Sequence, residues 1–110
     1  MGIKSNAVRK AVDTIKPTFE GEKVEIRYYT GRQSVGEMRQ MGRALSSANL
    51  EDQIALIAKW VSENIEYVDW TDDDGQPVLL DEERLQSEPF SILEFIFSSV
   101  MDHKNKRSKN

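Results

Sequence analysis

The sequence predicts a mainly α protein, a small helical domain with a minor β-strand or hairpin element. Its length of 110 residues provides one hydrophobic core of modest size. Apolar residues recur at three- and four-residue spacing through most of the chain, which is typical of amphipathic helices. Strand-like alternation is clear in residues 23–29. We expect a single domain over residues 1–103 and leave open whether residues 1–21 are loosely attached.

The first third of the chain contains one predicted helix and one predicted strand. Residues 5–16 place apolar side chains at helical spacing, and Pro17 ends that pattern. In residues 23–29, apolar and polar side chains alternate as in a half-buried strand, which ends before Gly31. These patterns predict a short helix followed by a strand.

Two longer helices are predicted in the middle of the chain. Ser34 with Glu37 three residues later fits a capping box, and Asn49 is a favourable N-cap for the second helix. The apolar stripe of the first helix comprises Val35, Met38, Met41, Ala44 and Leu45. That of the second comprises Leu50, Ile54, Ile57, Val61, Ile65 and Val68. Gly36 and Gly42 weaken the first helix by roughly 1 kcal/mol each relative to alanine, so it is either closely packed or mobile.

The remaining segments predict a turn, short extended runs and a final helix. Residues 71–77 are rich in Asp and join extended runs at residues 67–70 and 78–80. Residues 81–85 fit a single helical turn. A first-turn proline begins the last predicted helix, residues 89–101, which is apolar nearly all round.

The net charge is −4, but the charged residues are distributed unevenly along the chain. Residues 1–43 carry nine Lys and Arg against five Asp and Glu, which gives +4. Residues 44–102 carry two basic residues against fourteen acids, which gives −12. Residues 104–110 carry four basic residues and no apolar side chain, so we expect a disordered basic tail there.

Composition also limits the classes of chemistry and the location. The chain has no cysteine, which excludes disulfides, thiolate metal sites and cysteine nucleophiles. No window approaches the roughly 18 apolar residues of a membrane span, and the amino terminus lacks the apolar stretch of a signal peptide. We therefore expect a cytoplasmic protein that does not act on a membrane.

No constellation of residues indicates catalysis or metal binding. When Gly75 takes the invariant glycine position of a calcium loop, the first ligand position falls on Trp70, which cannot bind a cation. His103 is the only histidine, so neither a zinc site nor a base for a serine nucleophile is supported. The glycine spacing matches neither a P-loop nor a dinucleotide fingerprint. We expect no enzymatic activity, no cofactor and no metal.

The aromatic residues of the second half suggest a protein-interaction surface. A chain of this size has difficulty covering two wide apolar helices, so part of their surface should remain exposed for a partner. We expect that surface on the last helix, with support from the two tryptophans. The candidate partner-binding residues are Trp60, Trp70, Phe90, Leu93, Phe95, Ile96 and Phe97.

The order of these segments resembles that of the tail assembly chaperones of long-tailed bacteriophages. A strand at residues 24–30 leads into a helix with spaced methionine and leucine, followed by a helix that ends in residues 60–65. The spaced residues are Met38, Met41 and Leu45. An acidic stretch with a short helical turn and a last helix at residues 89–101 complete the layout, and the resemblance covers residues 22–102.

The resemblance implies a non-catalytic chaperone that binds and solubilises the tape measure protein during tail assembly. It also implies a location in the host cytoplasm and absence from the mature virion. Members of that family commonly have a longer product made by frameshifting. Self-association is expected when the tape measure protein, or another long helical structural protein, is absent.

The alternative hypothesis is a small regulatory protein that binds nucleic acid through its basic first third. Its basic residues could contact phosphates, although the segment of charge −12 would repel a polyanion. These residues are Arg9, Lys10, Lys16, Arg27, Arg32, Arg39 and Arg43. An enzyme subunit whose active site lies in a partner is a third hypothesis that the sequence leaves open.

Overall fold

Helices make up just over half of the chain in this computed structural model, which describes residue 2 and residues 4–108. The helices of this described part are α1 (Ser5–Lys10), α2 (Val35–Ser47), α3 (Leu50–Asn64), α4 (Glu82–Gln86) and α5 (Phe90–Ser108). None of these helices is long and apolar enough to cross a membrane.

Five short strands accompany the helices in the described part of the chain. They are β1 (Val12–Ile15), β2 (Thr18–Phe19), β3 (Glu22–Lys23), β4 (Ile26–Tyr29) and β5 (Ile65–Val68). The prediction of a mainly α protein is therefore wrong. The protein has an α+β fold, 53% helical, with two small antiparallel sheets.

The first four strands form one long β-hairpin in a single register. Val12 pairs with Tyr29 at the open end, and Phe19 pairs with Glu22 next to the turn. Glu20 and Gly21 form the turn with φ values of 50° and 87°, the left-handed conformation that a two-residue type I′ turn requires at both positions. Glycine adopts this conformation without strain, whereas a glutamate does so at a cost.

Strand β4 occupies the centre of the three-stranded sheet, whose order is β1-β4-β5. Ile26 pairs with Val68, and a β-bulge shifts the register between Arg27 and Tyr28. The predicted core helix therefore ends at Asn64, because the residues that follow it pair with β4 instead of continuing the helical stripe. Both ends of β5, Ile65 and Val68, remain buried in the strand conformation.

The predicted amino-terminal helix is also shorter than residues 5–16. It ends at Lys10, and residues 12–15 form the edge strand β1. The backbone carbonyl of Ala11 accepts a hydrogen bond from the backbone N–H of Thr30 at 3.0 Å. These backbone hydrogen bonds attach residues 11–15 to the sheet, and residues 1 and 3 lie outside the described part.

The predicted helix starts are confirmed by their N-caps. The Ser34 hydroxyl accepts a hydrogen bond from the Glu37 backbone N–H at 3.1 Å and begins α2. The Asn49 side chain accepts from the Asp52 backbone N–H at 2.8 Å and begins α3. The short helix α4 is capped in the same way, by Asp81. Local capping chemistry therefore places these helices as predicted.

The hydrophobic core lies between α3, α5 and the inner face of the sheet. Helices α3 and α5 contribute buried side chains to this core, and α4 contributes Leu85. The buried apolar residues are Ile26, Tyr28, Ile57, Ala58, Trp60, Val61, Ile65, Val68, Val78, Leu85, Leu93, Ile96 and Val100. Helix α2 contributes no buried residue to this core.

The last helix extends further than the sequence indicates. We predict disorder for residues 104–110, but α5 continues to Ser108. His103 lies within hydrogen-bonding distance of Tyr28, and the Lys104 ammonium lies over the Tyr28 ring. These contacts hold the first turn of the predicted tail against the sheet. Residues 109–110 lie outside the described part of the chain.

Candidate protein-interaction surface

Three of the predicted partner-binding residues lie inside the core. Leu93 and Ile96 are fully buried, and Trp60 is 3% exposed. In this structure they present almost no side-chain surface to a partner. The apolar face of α5 that the sequence suggests as free is covered largely by the sheet and by α3.

The other predicted residues are half-buried against the core. The ring of Phe95 packs against Phe19 of the hairpin, with 4.8 Å between the centroids. Phe97 meets Trp60 edge to face at 4.9 Å. Phe90 and Trp70 are likewise partly buried and packed against the core. The aromatic residues therefore serve mainly contacts within the chain.

A less covered apolar surface occurs on α2, an element that the predicted site did not include. This helix is amphipathic, and none of its 13 residues, all described, is buried. Val35, at its first turn, is 66% exposed, and Met41 and Leu45 only partly pack against the core. We refer to Val35, Met38, Met41, Ala44 and Leu45 as the α2 stripe. The methionine spacing and the two helical glycines are the sequence signals that could have drawn attention to it.

A groove of about 450 Å³ lies between α2 and α3. Met41, Ala44 and Leu56 contribute apolar surface to it, and Trp60 contributes at its base. The Trp60 indole N–H donates to the Gln33 side-chain oxygen at 3.0 Å, which fixes the ring in this position. The remaining lining residues are Glu37, Gln40, Lys59, Glu63 and Asn64. This combination of an apolar floor and a polar rim is typical of protein-binding grooves.

A second cleft of about 630 Å³ lies on the opposite side of α2, against β4 and the end of α5. Val35 and Met38 form its apolar wall, and Arg39 and Lys104 provide positive charge. Partial burial lowers the pKa of Lys104, because the ammonium loses hydration there.

Tyr28, His103 and Asp13 form a polar cluster beside this second cleft. The Tyr28 hydroxyl lies 2.8 Å from His103 Nδ1 and donates to Asp13 Oδ2 at 3.4 Å. The cluster joins β1, β4 and α5, so it fixes the position of the last helix relative to the sheet. A buried tyrosine hydroxyl needs such partners, because an unpaired polar group in the core is costly.

The outer face of the sheet carries two arginines stacked on tyrosines. Arg32 lies 3.5 Å from the centroid of the Tyr29 ring, and Arg27 lies 4.6 Å from that of Tyr67. Arg27 also pairs with Glu25 at 2.7 Å, a hydrogen-bonded contact that raises the pKa of the guanidinium. Tyr67 is 39% exposed, so part of this face is open to solvent.

Among the described residues, no group of three or more His, Asp and Glu is arranged to hold a metal ion. The described surface instead offers the α2 stripe, its two flanking grooves and the aromatic and basic outer face of the sheet. Comparison with models of known protein families, with curated proteins and with solved structures gives no match for this chain.

Proposed function

We propose that this chain is a non-catalytic tail assembly chaperone, which binds and solubilises the tape measure protein during phage tail assembly. The observation that carries the proposal is helix α2, an amphipathic helix without a buried side chain. An amphipathic helix normally gains its stability by burying its apolar face. A partner segment that covers the α2 stripe would complete the burial that the chain itself supplies only in part.

The chemistry of the stripe suits a client with varied sequence. Met38 and Met41 are unbranched and flexible, so they adapt to differently shaped apolar side chains. The α2–α3 groove is open along the helix, which suits an amphipathic client helix lying beside it. A long helical protein such as the tape measure protein offers many such segments.

Charge supports the same proposal. The segment of residues 44–102 carries −12, and two acids, Glu37 and Glu63, line the groove. These acids keep a complex with exposed apolar segments dispersed and disfavour wrong partners of like charge. The chaperone would act in the host cytoplasm, would be absent from the mature virion, and would self-associate through the α2 stripe when no client is present.

The test is co-expression with a phage tape measure protein, which serves as the long helical client. The wild-type chain should keep that client soluble and elute with it in size-exclusion chromatography. Met41→Asp places a charge in the α2–α3 groove, and Val35→Asp places one at a residue that is 66% exposed. Both variants should lose most of the soluble client, because an unpaired carboxylate is costly to bury in an apolar interface.

Leu79→Asp is the matched control, since Leu79 is 73% exposed and lies outside both grooves. It should retain the client as the wild type does, and circular dichroism should show that all the variants are folded. A wild-type chain that leaves the client insoluble contradicts the chaperone function. Full client retention by both α2 variants contradicts the assignment of the surface.

Nucleic-acid binding remains the second candidate, and one observation favours it. The outer sheet face presents Tyr29 and Tyr67 with stacked arginines, and such aromatic and basic surfaces can bind single strands. If this candidate is correct, a fluorescent single-stranded oligonucleotide should bind at low salt and lose affinity steeply at moderate salt. A chaperone without this activity should show no binding at either salt concentration.

A further inference from the structure

The cleft between α2 and the end of α5 differs in charge from the rest of the surface around α2. Its lining combines side chains from the end of β4, the start of α2 and the last turns of α5. These residues are Tyr28, Thr30, Gln33, Val35, Met38, Arg39, Lys104 and Asn105. They include two basic side chains and no carboxylate, whereas the α2–α3 groove is lined by two acids, Glu37 and Glu63, and one lysine, Lys59.

The two basic residues of this cleft lack acidic partners within the described part of the chain. Neither Arg39 nor Lys104 forms an ion pair with a described residue. Lys104 instead places its ammonium 5.5 Å from the centroid of the Tyr28 ring, where it is partly removed from water. An approaching carboxylate would replace part of the hydration that Lys104 loses, so the site favours an anion.

An apolar wall lies directly beside these basic residues. Val35 is 66% exposed, and Met38 lines the same cleft one turn further along α2. A simple anion would leave this wall uncovered. An amphipathic helix with an acidic residue next to apolar residues would satisfy both parts of the cleft, since residues three or four apart share one helix face.

We infer that this cleft holds an acidic side chain of a helical protein partner, with the adjoining apolar side chains of that partner on Val35 and Met38. The inference rests on the proposed function and adds the chemistry of the client segment. Charge complementarity supports it, because the acids that line the α2–α3 groove would repel the same acidic residue. The cleft would therefore fix the direction in which the client helix lies along α2.

The test uses two synthetic amphipathic helical peptides of roughly 18 residues, a length at which such helices become stable. Both carry leucines at helical spacing, and they differ only in glutamate or glutamine beside the leucines. Binding to the full chain is measured by calorimetry, and the site is located by nuclear magnetic resonance. The glutamate peptide should bind about tenfold more tightly than the glutamine peptide and should shift the amide signals of Arg39 and Lys104.

Arg39→Gln with Lys104→Gln should abolish this preference while leaving the binding of the glutamine peptide unchanged. Arg39→Gln alone should lose part of the preference for the glutamate peptide. This variant should fold normally, because Arg39 is exposed. Lys4→Gln with Lys23→Gln removes the same charge at exposed positions outside the cleft and should retain the preference.

Three results would overturn the inference. They are equal binding of the two peptides, no binding of either peptide, and a preference that survives Arg39→Gln with Lys104→Gln. Failure of the proposed function is distinguishable from these results, because a chain that does not solubilise the tape measure protein can still prefer the glutamate peptide. Conversely, a working chaperone with no charge preference contradicts this inference alone.

Discussion

Tyr28 connects the hydrophobic core to a polar cluster at the end of α5. The residue is 1% exposed, and its hydroxyl lies within hydrogen-bonding distance of His103 and Asp13. Both partners are about one third exposed, so water can replace the tyrosine hydroxyl at their outer atoms. The strength of this connection therefore depends on the hydroxyl, since the ring itself is held by packing.

Tyr28→Phe should lower the free energy of unfolding by about 1 kcal/mol, because it removes the hydroxyl and leaves the ring in place. Urea denaturation measures this loss. Tyr67→Phe is the matched control, since Tyr67 is 39% exposed and its stacking with Arg27 does not require a hydroxyl. A loss as large for Tyr67→Phe as for Tyr28→Phe would contradict the role of the cluster.

Asp72 organises the acidic turn that follows β5. Its Oδ1 atom accepts hydrogen bonds from the backbone N–H groups of Asp74 at 2.9 Å and Gln76 at 3.0 Å. The bond from Gln76 is the largest cause of the lowered pKa of Asp72, and Arg84 lowers it further. The dense acids of this turn thus have a structural use, which is to fold the turn on itself.

Asp72→Ala should destabilise the protein at pH 7 more than at low pH. The folded-state pKa of Asp72 lies below the ordinary aspartate value of 3.8, so its stabilising contribution is present above that value and is lost as the pH falls through the folded-state pKa. Thermal unfolding of wild type and variant at pH 7 and at pH values below 3.8 measures the difference. Asp73→Ala, at an exposed neighbour, is the comparison variant and should destabilise the protein less at pH 7 than Asp72→Ala does.

At the scale of elements, helix ends are more predictable from this sequence than strands. Ser34, Asn49 and Asp81 each cap a helix through a neighbour three residues away, so the signal lies within one short window. Strands β1 and β5 depend on pairing with β4, which is distant in sequence from β5. The apolar spacing of β1 and β5 also fits a helix, so the local pattern favoured helices. Pairing with β4 makes these segments strands instead.

Replacement by alanine should destabilise the protein at Gly31, which lies next to α1, and stabilise it at Gly42, which lies within α2. At Gly31 an added Cβ would lie 2.6 Å from the Val8 carbonyl oxygen, so α1 must move, and we expect a loss of about 1–3 kcal/mol. A Cβ added at Gly42 would meet no atom within 4 Å apart from its own helix backbone. Gly42→Ala should therefore stabilise α2 by roughly 1 kcal/mol.

Thermal unfolding measures both effects, and amide hydrogen exchange localises them to α1 or α2. Gly36→Ala is a further comparison, because the backbone is helical there as at Gly42. A Cβ added at Gly36 would lie 3.9 Å from the Ser34 hydroxyl oxygen, an ordinary contact distance. Stabilisation of the protein by Gly31→Ala would show that the close approach to Val8 is not needed for the packing of α1.

At the scale of the whole molecule, three of the seven predicted interaction residues lie in the core, and the hairpin packs on a fourth, Phe95. The sequence predicted one strand near residues 23–29, but not the second arm that brings Phe19 against Phe95. When that arm is left out, the contact that covers the Phe95 ring is missing, so the sequence alone favoured an exposed aromatic face. The α2 stripe could be predicted as an apolar face, but its lack of burial depends on how α2 sits in the fold.

Leu93→Ala should therefore act on stability, with a loss of about 2–5 kcal/mol in the free energy of unfolding, because Leu93 is fully buried. Urea denaturation checks this value. Leu79→Ala, at a residue 73% exposed, should change the free energy of unfolding by less than about 0.5 kcal/mol. A similarly small loss for Leu93→Ala would mean that this part of α5 is not in the core.

The central position of β4 has a consequence for the order in which the chain can fold. The hairpin partner of β4, strand β1, precedes it closely, so the two strands meet after a short loop closes. Strand β5 reaches β4 only after α2 and α3 have been traversed, which is a non-local step of the kind that slows folding. During synthesis the hairpin is therefore available first, and it can serve as a template on which the later helices and the third strand assemble.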